Sequence, residues 1–123
     1  MCYIMTKDLK RFDVVLADLG KDVIGSEQGG KRPVVIIQND KGNFYGSTTI
    51  VIPFTSQLKR INQPTHSLIK KGEEKGLSED SILLGEAMRQ ISEKRIVSYL
   101  GTITDLNERK EIKRVYDANF GEV

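Results

Sequence analysis

The chain has 123 residues, enough for a single domain that buries roughly two thirds of its unfolded surface without covalent staples. One cysteine, Cys2, excludes an intramolecular disulfide, and one histidine, His66, leaves no cluster with zinc-ligand spacing, so metal-free chemistry or pure binding remains and no cofactor is expected. A net charge of +2, from 19 basic and 17 acidic residues, is too mild to argue for nucleic acid by itself. No apolar run reaches the length of a membrane span, and residues 1–10 carry charges where a signal peptide needs an apolar core, which predicts a cytoplasmic protein.

Residues 12–18 read as a strand. They lead to the most informative stretch of the chain, Gly25-Ser26-Glu27-Gln28-Gly29-Gly30-Lys31-Arg32-Pro33, followed by the apolar run 33–38. The paired glycines permit positive φ and close backbone approach, and Pro33 biases Arg32 toward extended geometry. Arg32 is thus offered to a ligand from the start of a strand, as a planar five-donor cation suited to phosphate or carboxylate. A Gly-Gly hairpin turn followed by a surface arginine is the plainer reading of the same residues. The continuous apolar run suits a strand covered on both faces, which suggests a barrel or a dimer.

Asn39-Asp40-Lys41-Gly42-Asn43 is turn chemistry. A strand over 48–55 follows, with Ile50, Ile52 and Phe54 on one face and Thr49, Val51 and Thr55 on the other, so Thr55 leaves the core side. Residues 56–64 form a basic, polar connection, 65–70 a short strand, and 81–90 a longer strand whose alternation separates Glu86 from Arg89. Ser92-Glu93-Lys94-Arg95 resembles one helical turn, and a strand over 97–103 closes the sheet. Asp105 with Glu108 three residues on starts an amphipathic helix, whose face of Leu106, Ile112, Val115, Tyr116 and Phe120 runs until Gly121. Lys31, Arg32, Lys59, Arg60, Lys70, Lys71, Arg89, Lys94 and Arg95 fall mostly at strand ends, where a converging basic surface and a solvated rim are equally good explanations. The chain reads as one mainly β domain with a C-terminal helix.

Asp13-Val14-Val15-Leu16-Ala17-Asp18-Leu19, the segment from Gly25 through Gln38-Asn39-Asp40, Pro64-Thr65-His66 and Asp80-Ser81-Ile82-Leu83-Leu84 together resemble the MazF/PemK family of toxin ribonucleases. The resemblance runs from about Lys10 to the final helix, leaving 1–9 as an N-terminal extension, with Met5 an alternative initiator, before a toxin domain over 10–123. It implies an SH3-like small β-barrel with short helices, assembled as a homodimer. It also implies sequence-specific cleavage of single-stranded RNA and neutralisation by a cognate MazE-like antitoxin. The family's catalytic arginine and threonine fall on Arg32 and Thr55. The strand reading agrees, because an antiparallel pair that begins at Arg32 and ends at Thr55 places both at one sheet edge.

Metal-independent cleavage proceeds by attack of the ribose 2′-hydroxyl on its neighbouring phosphorus. Arg32 fits stabilisation of the developing charge, and Thr55 fits holding a phosphate oxygen or the 2′-hydroxyl in line. Glu27, the nearest carboxylate in sequence, is a candidate base. His66, at the start of a strand, is read as structural. Base readout is expected from Ile24, Glu27, Gln28, Leu58 and Arg89. The chain departs from the family where Gly85-Glu86-Ala87-Met88-Arg89 stands in place of the common Leu-Glu-Gln-Ile-Arg, so Ala87 replaces an amide able to bond a base edge. Two other functions fit the same fold class: a non-enzymatic toxin that binds gyrase, as CcdB toxins do, and a plain RNA-binding module.

Overall fold

The computed structural model describes residues 4–21, 28–59 and 61–122. Seven antiparallel strands, β1 (Asp13–Asp18), β2 (Lys31–Ile36), β3 (Thr48–Thr55), β4 (His66–Ile69), β5 (Ser81–Leu84), β6 (Arg89–Ser92) and β7 (Ile96–Thr102), are joined by a short helix α1 (Asp40–Tyr45) and end in helix α2 (Leu106–Phe120). The path β4-β5-β3-β2-β1-β7 is completed by β6, which also pairs with β3. Strand β3 is therefore shared: its first half pairs with β6, from Thr48↔Ser92 to Val51↔Arg89, and its end with β5, Phe54↔Leu83 and Thr55↔Ile82. Two small sheets sharing one strand give the mainly β, barrel-like fold expected from the sequence.

Alternation along the central strands feeds two cores. Val14, Val35, Ile52 and Phe54 join Leu83, Ile112 and Val115 on the α2 side, while Val15, Val34, Ile36 and Val51 join Leu9, Ile91 and Ile96 on the other. The doubly apolar strand read from 33–38 is thus covered on both faces by the chain itself. A second copy is not needed to cover it, and a dimer must rest on other grounds.

Several boundaries differ from the sequence reading, each for a local reason. Phe12 takes φ +78 and is not in β1; its N–H donates to Ile36 O (2.8 Å), its carbonyl accepts from Ile103 N–H (3.0 Å), and Arg11 and Arg109 lie over its ring. Residues 39–43, read as a turn, instead start α1: Asn39 Oδ1 caps Gly42 N–H (2.8 Å), and buried Asn43 accepts from Gln38 and Thr49. The single strand read over 81–90 is two strands broken by a 3-10 turn at Gly85–Ala87. Packing requires a glycine at the break, since a Cβ on Gly85 would meet Val115 Cγ1 at 2.4 Å and Thr65 O at 2.6 Å. Helix α2 has the expected Asp105 cap, accepting from Glu108 N–H (3.0 Å), and ends at Gly121 with φ +74. Its buried face is narrower than read: Ile112 and Val115 are buried, but Leu106 is 63% and Phe120 80% exposed.

Residues Thr6–Asp8 form a 3-10 turn docked on the fold, with Thr6 N–H donating to Glu93 Oε2 (2.8 Å) and Leu9 in the core. The expected helical turn after β6 is the 3-10 segment Glu93–Arg95. No helix among the described residues is long and apolar enough to cross a membrane.

Candidate active site

Strands β2 and β3 pair through Val34↔Pro53, Val35↔Ile52 and Ile36↔Val51. Carried two residues further, that register sets Arg32 opposite Thr55 at the open end of the pair. Arg32 is half-buried, and two backbone carbonyls hold its guanidinium: Nε donates to Gly29 O (3.2 Å) and one terminal nitrogen to Phe54 O (3.3 Å). Burial lowers its pKa from the usual arginine value, but an arginine starts so high that it stays a cation at neutral pH. Three of its five N–H groups remain for an anion.

Thr55 ends β3 with its Oγ1 accepting from Gln57 N–H (3.2 Å), an arrangement that orients the hydroxyl and leaves its proton to donate. Arg32 and Thr55 line one cleft of about 320 Å³, whose other walls include Lys31, Gln57, Ser78 and Glu79.

The loop before Arg32 is closed at its base. Leu19 N–H donates to Gly30 O (2.9 Å) and Gly30 N–H to Gly20 O (2.8 Å), while Gly30 takes φ +73, which a glycine adopts without strain. Arg89 and Arg95 reinforce this base by donating to the carbonyls of Leu19 (3.3 Å) and Asp18 (3.2 Å).

The remaining expected site residues divide. Ile24 and Glu27 lie outside the described residues, as does Arg60. Gln28 is half-buried beside Gly29, and Leu58 is exposed on the connection after Thr55. Arg89 does not line the cleft; besides its contact with Leu19 it borders a separate, more apolar groove of about 690 Å³ between the sheet and α2, with Ile50, Met88 and Tyr116. Sequence reasoning missed Ser78, Glu79 and Ser81. Their signal was the antiparallel return of β5 past the end of β3, which a register argument alone could have placed beside Thr55.

His66 stands in a structural network. Its buried ring donates from Nε2 to Glu86 Oε1 (2.6 Å), Thr65 Oγ1 donates to Glu86 Oε2 (2.9 Å), and His66 O accepts from Arg114 (3.0 Å). Burial raises the Glu86 pKa, but bonds from His66, its own backbone and Thr65 outweigh that, and the carboxyl lies below its usual range. Bonds from Arg114 do the same for Glu111, which also accepts from Ser67 (3.1 Å). Among the described residues no three His, Cys, Asp or Glu side chains gather where a metal ion could sit.

The free N–H groups of a fixed cation and the proton of an oriented hydroxyl, lining one cleft of a small antiparallel β fold, suit an anion such as a phosphodiester. A family model described as the PemK-like, MazF-like toxin of type II toxin-antitoxin systems matches residues 10–116. The chain is 43% identical over 113 residues to the endoribonuclease MazF of Staphylococcus saprophyticus, with 92% of each chain covered. Among solved structures, Form I of MazF from Deinococcus radiodurans matches with a TM-score of 0.75 at 17% identity, covering 93% of this chain and 97% of that one. A mycobacterial endoribonuclease in complex with its cognate antitoxin matches with a TM-score of 0.73 at 17% identity, covering 92% and 95%. The chain belongs to the PemK-like, MazF-like toxin family.

Proposed function

We propose that this family member cleaves single-stranded RNA at a short sequence, without a metal, using Arg32 and Thr55. It is an endoribonuclease toxin of a type II toxin-antitoxin system, as the family match and the 43% identical relative support. What supports the residue assignment is that Arg32 and Thr55 line one cleft, at the end where the β2–β3 register carried two residues past Val34↔Pro53 sets them opposite, with the guanidinium held by two carbonyls. In this reading the ribose 2′-hydroxyl attacks phosphorus. Arg32 stabilises charge that grows on the phosphoryl oxygens, and a single preorganised donor of this kind is worth about 10²–10³ in rate. Thr55, one of its lone pairs occupied by Gln57 N–H, donates its proton to a phosphate oxygen and fixes in-line geometry.

Base readout falls to Ile24, Glu27, Gln28 and Leu58, and to the unspent donors of Arg89. The toxin acts in the cytoplasm as a homodimer and is neutralised by a MazE-like antitoxin, whose apolar residues suit the groove lined by Ile50, Met88 and Tyr116. Of its sequence, residues 10–123 constitute the toxin domain and 1–9 an extension.

The test is cleavage of a long, weakly structured RNA by the purified chain in EDTA, with Arg32→Ala alongside and product ends mapped. Discrete cuts that vanish in the variant establish the reading. Growth arrest by the wild type without any cut refutes it and favours a non-enzymatic toxin.

A further inference from the structure

Attack by a 2′-hydroxyl needs a proton acceptor, and neither residue of the pair supplies one. Arginine does not deprotonate in a protein, and the neutral Thr55 hydroxyl, which accepts one bond from Gln57 N–H, is far too weak a base to keep a proton near neutral pH. Among the described residues lining the cleft, Glu79 is the one carboxylate. Its backbone is held: Glu79 O accepts from Ser81 Oγ (2.9 Å), and neighbouring Asp80 accepts from Lys71 N–H (2.9 Å) with the Lys70 ammonium 3.8 Å away. The exposed Glu79 carboxylate itself makes no hydrogen bond or ion pair with any described residue. Lining the same cleft are two cations of β2, Lys31 and Arg32; on its own segment Asp80 is engaged by Lys70 and Lys71.

An unpartnered carboxylate in a phosphate-binding cleft repels the substrate's charge, a cost that chemistry at the cleft offsets if the carboxylate takes a proton. We propose that Glu79, delivered to the cleft by the start of β5, is the general base of the cleavage, a proposal that rests on the ribonuclease reading above. Its carboxylate accepts the 2′-hydroxyl proton as the 2′-oxygen forms its bond to phosphorus. The bond from phosphorus to the 5′-oxygen then breaks, and the departing oxygen takes a proton from water. The resulting hydroxide is neutralised by the proton carried on Glu79. Glu27, the base suggested by sequence position, is the competing candidate.

The experiment measures single-turnover cleavage of the mapped site across the acid and neutral range for wild type, Glu79→Gln and Glu27→Gln. Binding of the same oligonucleotide with a 2′-deoxy residue at the cut is measured in parallel. A general base is typically worth about 10²–10⁴ in rate, so Glu79→Gln is expected to slow cleavage by at least about a hundredfold and to abolish the acid limb of the profile. Affinity for the deoxy oligonucleotide is expected to stay within about threefold, because the base acts on a proton that this ligand lacks. Cleavage by Glu79→Gln near the wild-type rate, a slowed reaction that keeps the acid limb, or loss of that limb in Glu27→Gln instead overturns the assignment while wild-type cutting leaves the ribonuclease intact. A wild type that does not cut overturns both readings.

Discussion

Replacing Arg32 by lysine separates charge from geometry at the site. The guanidinium satisfies Gly29 O and Phe54 O with two N–H groups 3.2 and 3.3 Å from their acceptors, and three N–H groups remain for the phosphate. A lysine ammonium keeps the positive charge, but its three donors radiate from one atom and do not span two separate carbonyls while also engaging a substrate. The variant therefore loses at least one charge-assisted hydrogen bond in the transition state, worth about 1.5–3 kcal/mol, or roughly ten- to 150-fold in rate. Arg32→Ala, which loses the charge as well, falls further, by about 10²–10³. The assay is single-turnover cleavage of a fluorophore-quencher oligonucleotide containing the mapped site, with urea unfolding run on each variant to confirm that it is folded. Ordered rates, wild type above lysine above alanine, follow from the two-carbonyl clamp. Lysine cleaving within about threefold of wild type refutes the idea that the clamped plane matters and leaves only a point charge.

Thr55→Ser keeps the hydroxyl that Gln57 N–H orients and is expected to cleave within about threefold of wild type, whereas isosteric Thr55→Val loses the donor to phosphate and about tenfold or more in the same assay. His66→Ala is expected to retain cleavage per folded molecule while lowering the unfolding free energy from urea titration by about 1–3 kcal/mol, since it empties a buried ring site and removes the bond to Glu86. The Glu86 carboxyl lies below its usual range in the folded chain, so its stabilisation is present above the unfolded glutamate pKa of about 4.3 and is lost as pH falls through the folded value. Glu86→Gln is accordingly expected to flatten the fall in unfolding free energy on acidification below that point, read by urea titrations at successive pH values.

What was legible in the sequence is what periodicity and local chemistry encode. Arg32 and Thr55 sit on strands whose alternation is visible, and antiparallel pairing then brings them to one edge. The Asp105 cap and the Gly121 stop are equally local. The misses depend on distant atoms or on short elements. Alternation runs straight through Gly85, and only the approach of Val115 and Thr65 shows why a glycine stands at the break. Helix α1 has six residues, too few to show a period, and its turn-like Asn43 is buried because Gln38 and Thr49 satisfy it. Glu79 is an exposed connection residue, so no pattern marks it, and only the register of β5 against β3 brings it to the cleft.

The division of labour in the site follows from where its atoms are held. Strands β2 and β3 bury side chains on both faces, so a shift of either disturbs two cores at once. Arg32 and Thr55 take their positions from those strands. The connection between β1 and β2 enters and leaves through a base tied by Leu19, Gly20 and Gly30, and Arg89 and Arg95 grip the two carbonyls on its β1 side. The carbonyl of Gly29 that holds Arg32 lies next to that base, so the bonds of Leu19, Gly20 and Gly30 help to fix the cation. In the proposed reading, substitutions that disturb Gly29, Gly30 or Phe54 are expected to slow cleavage of any RNA, because they move the carbonyls that hold Arg32 or the turn beside them.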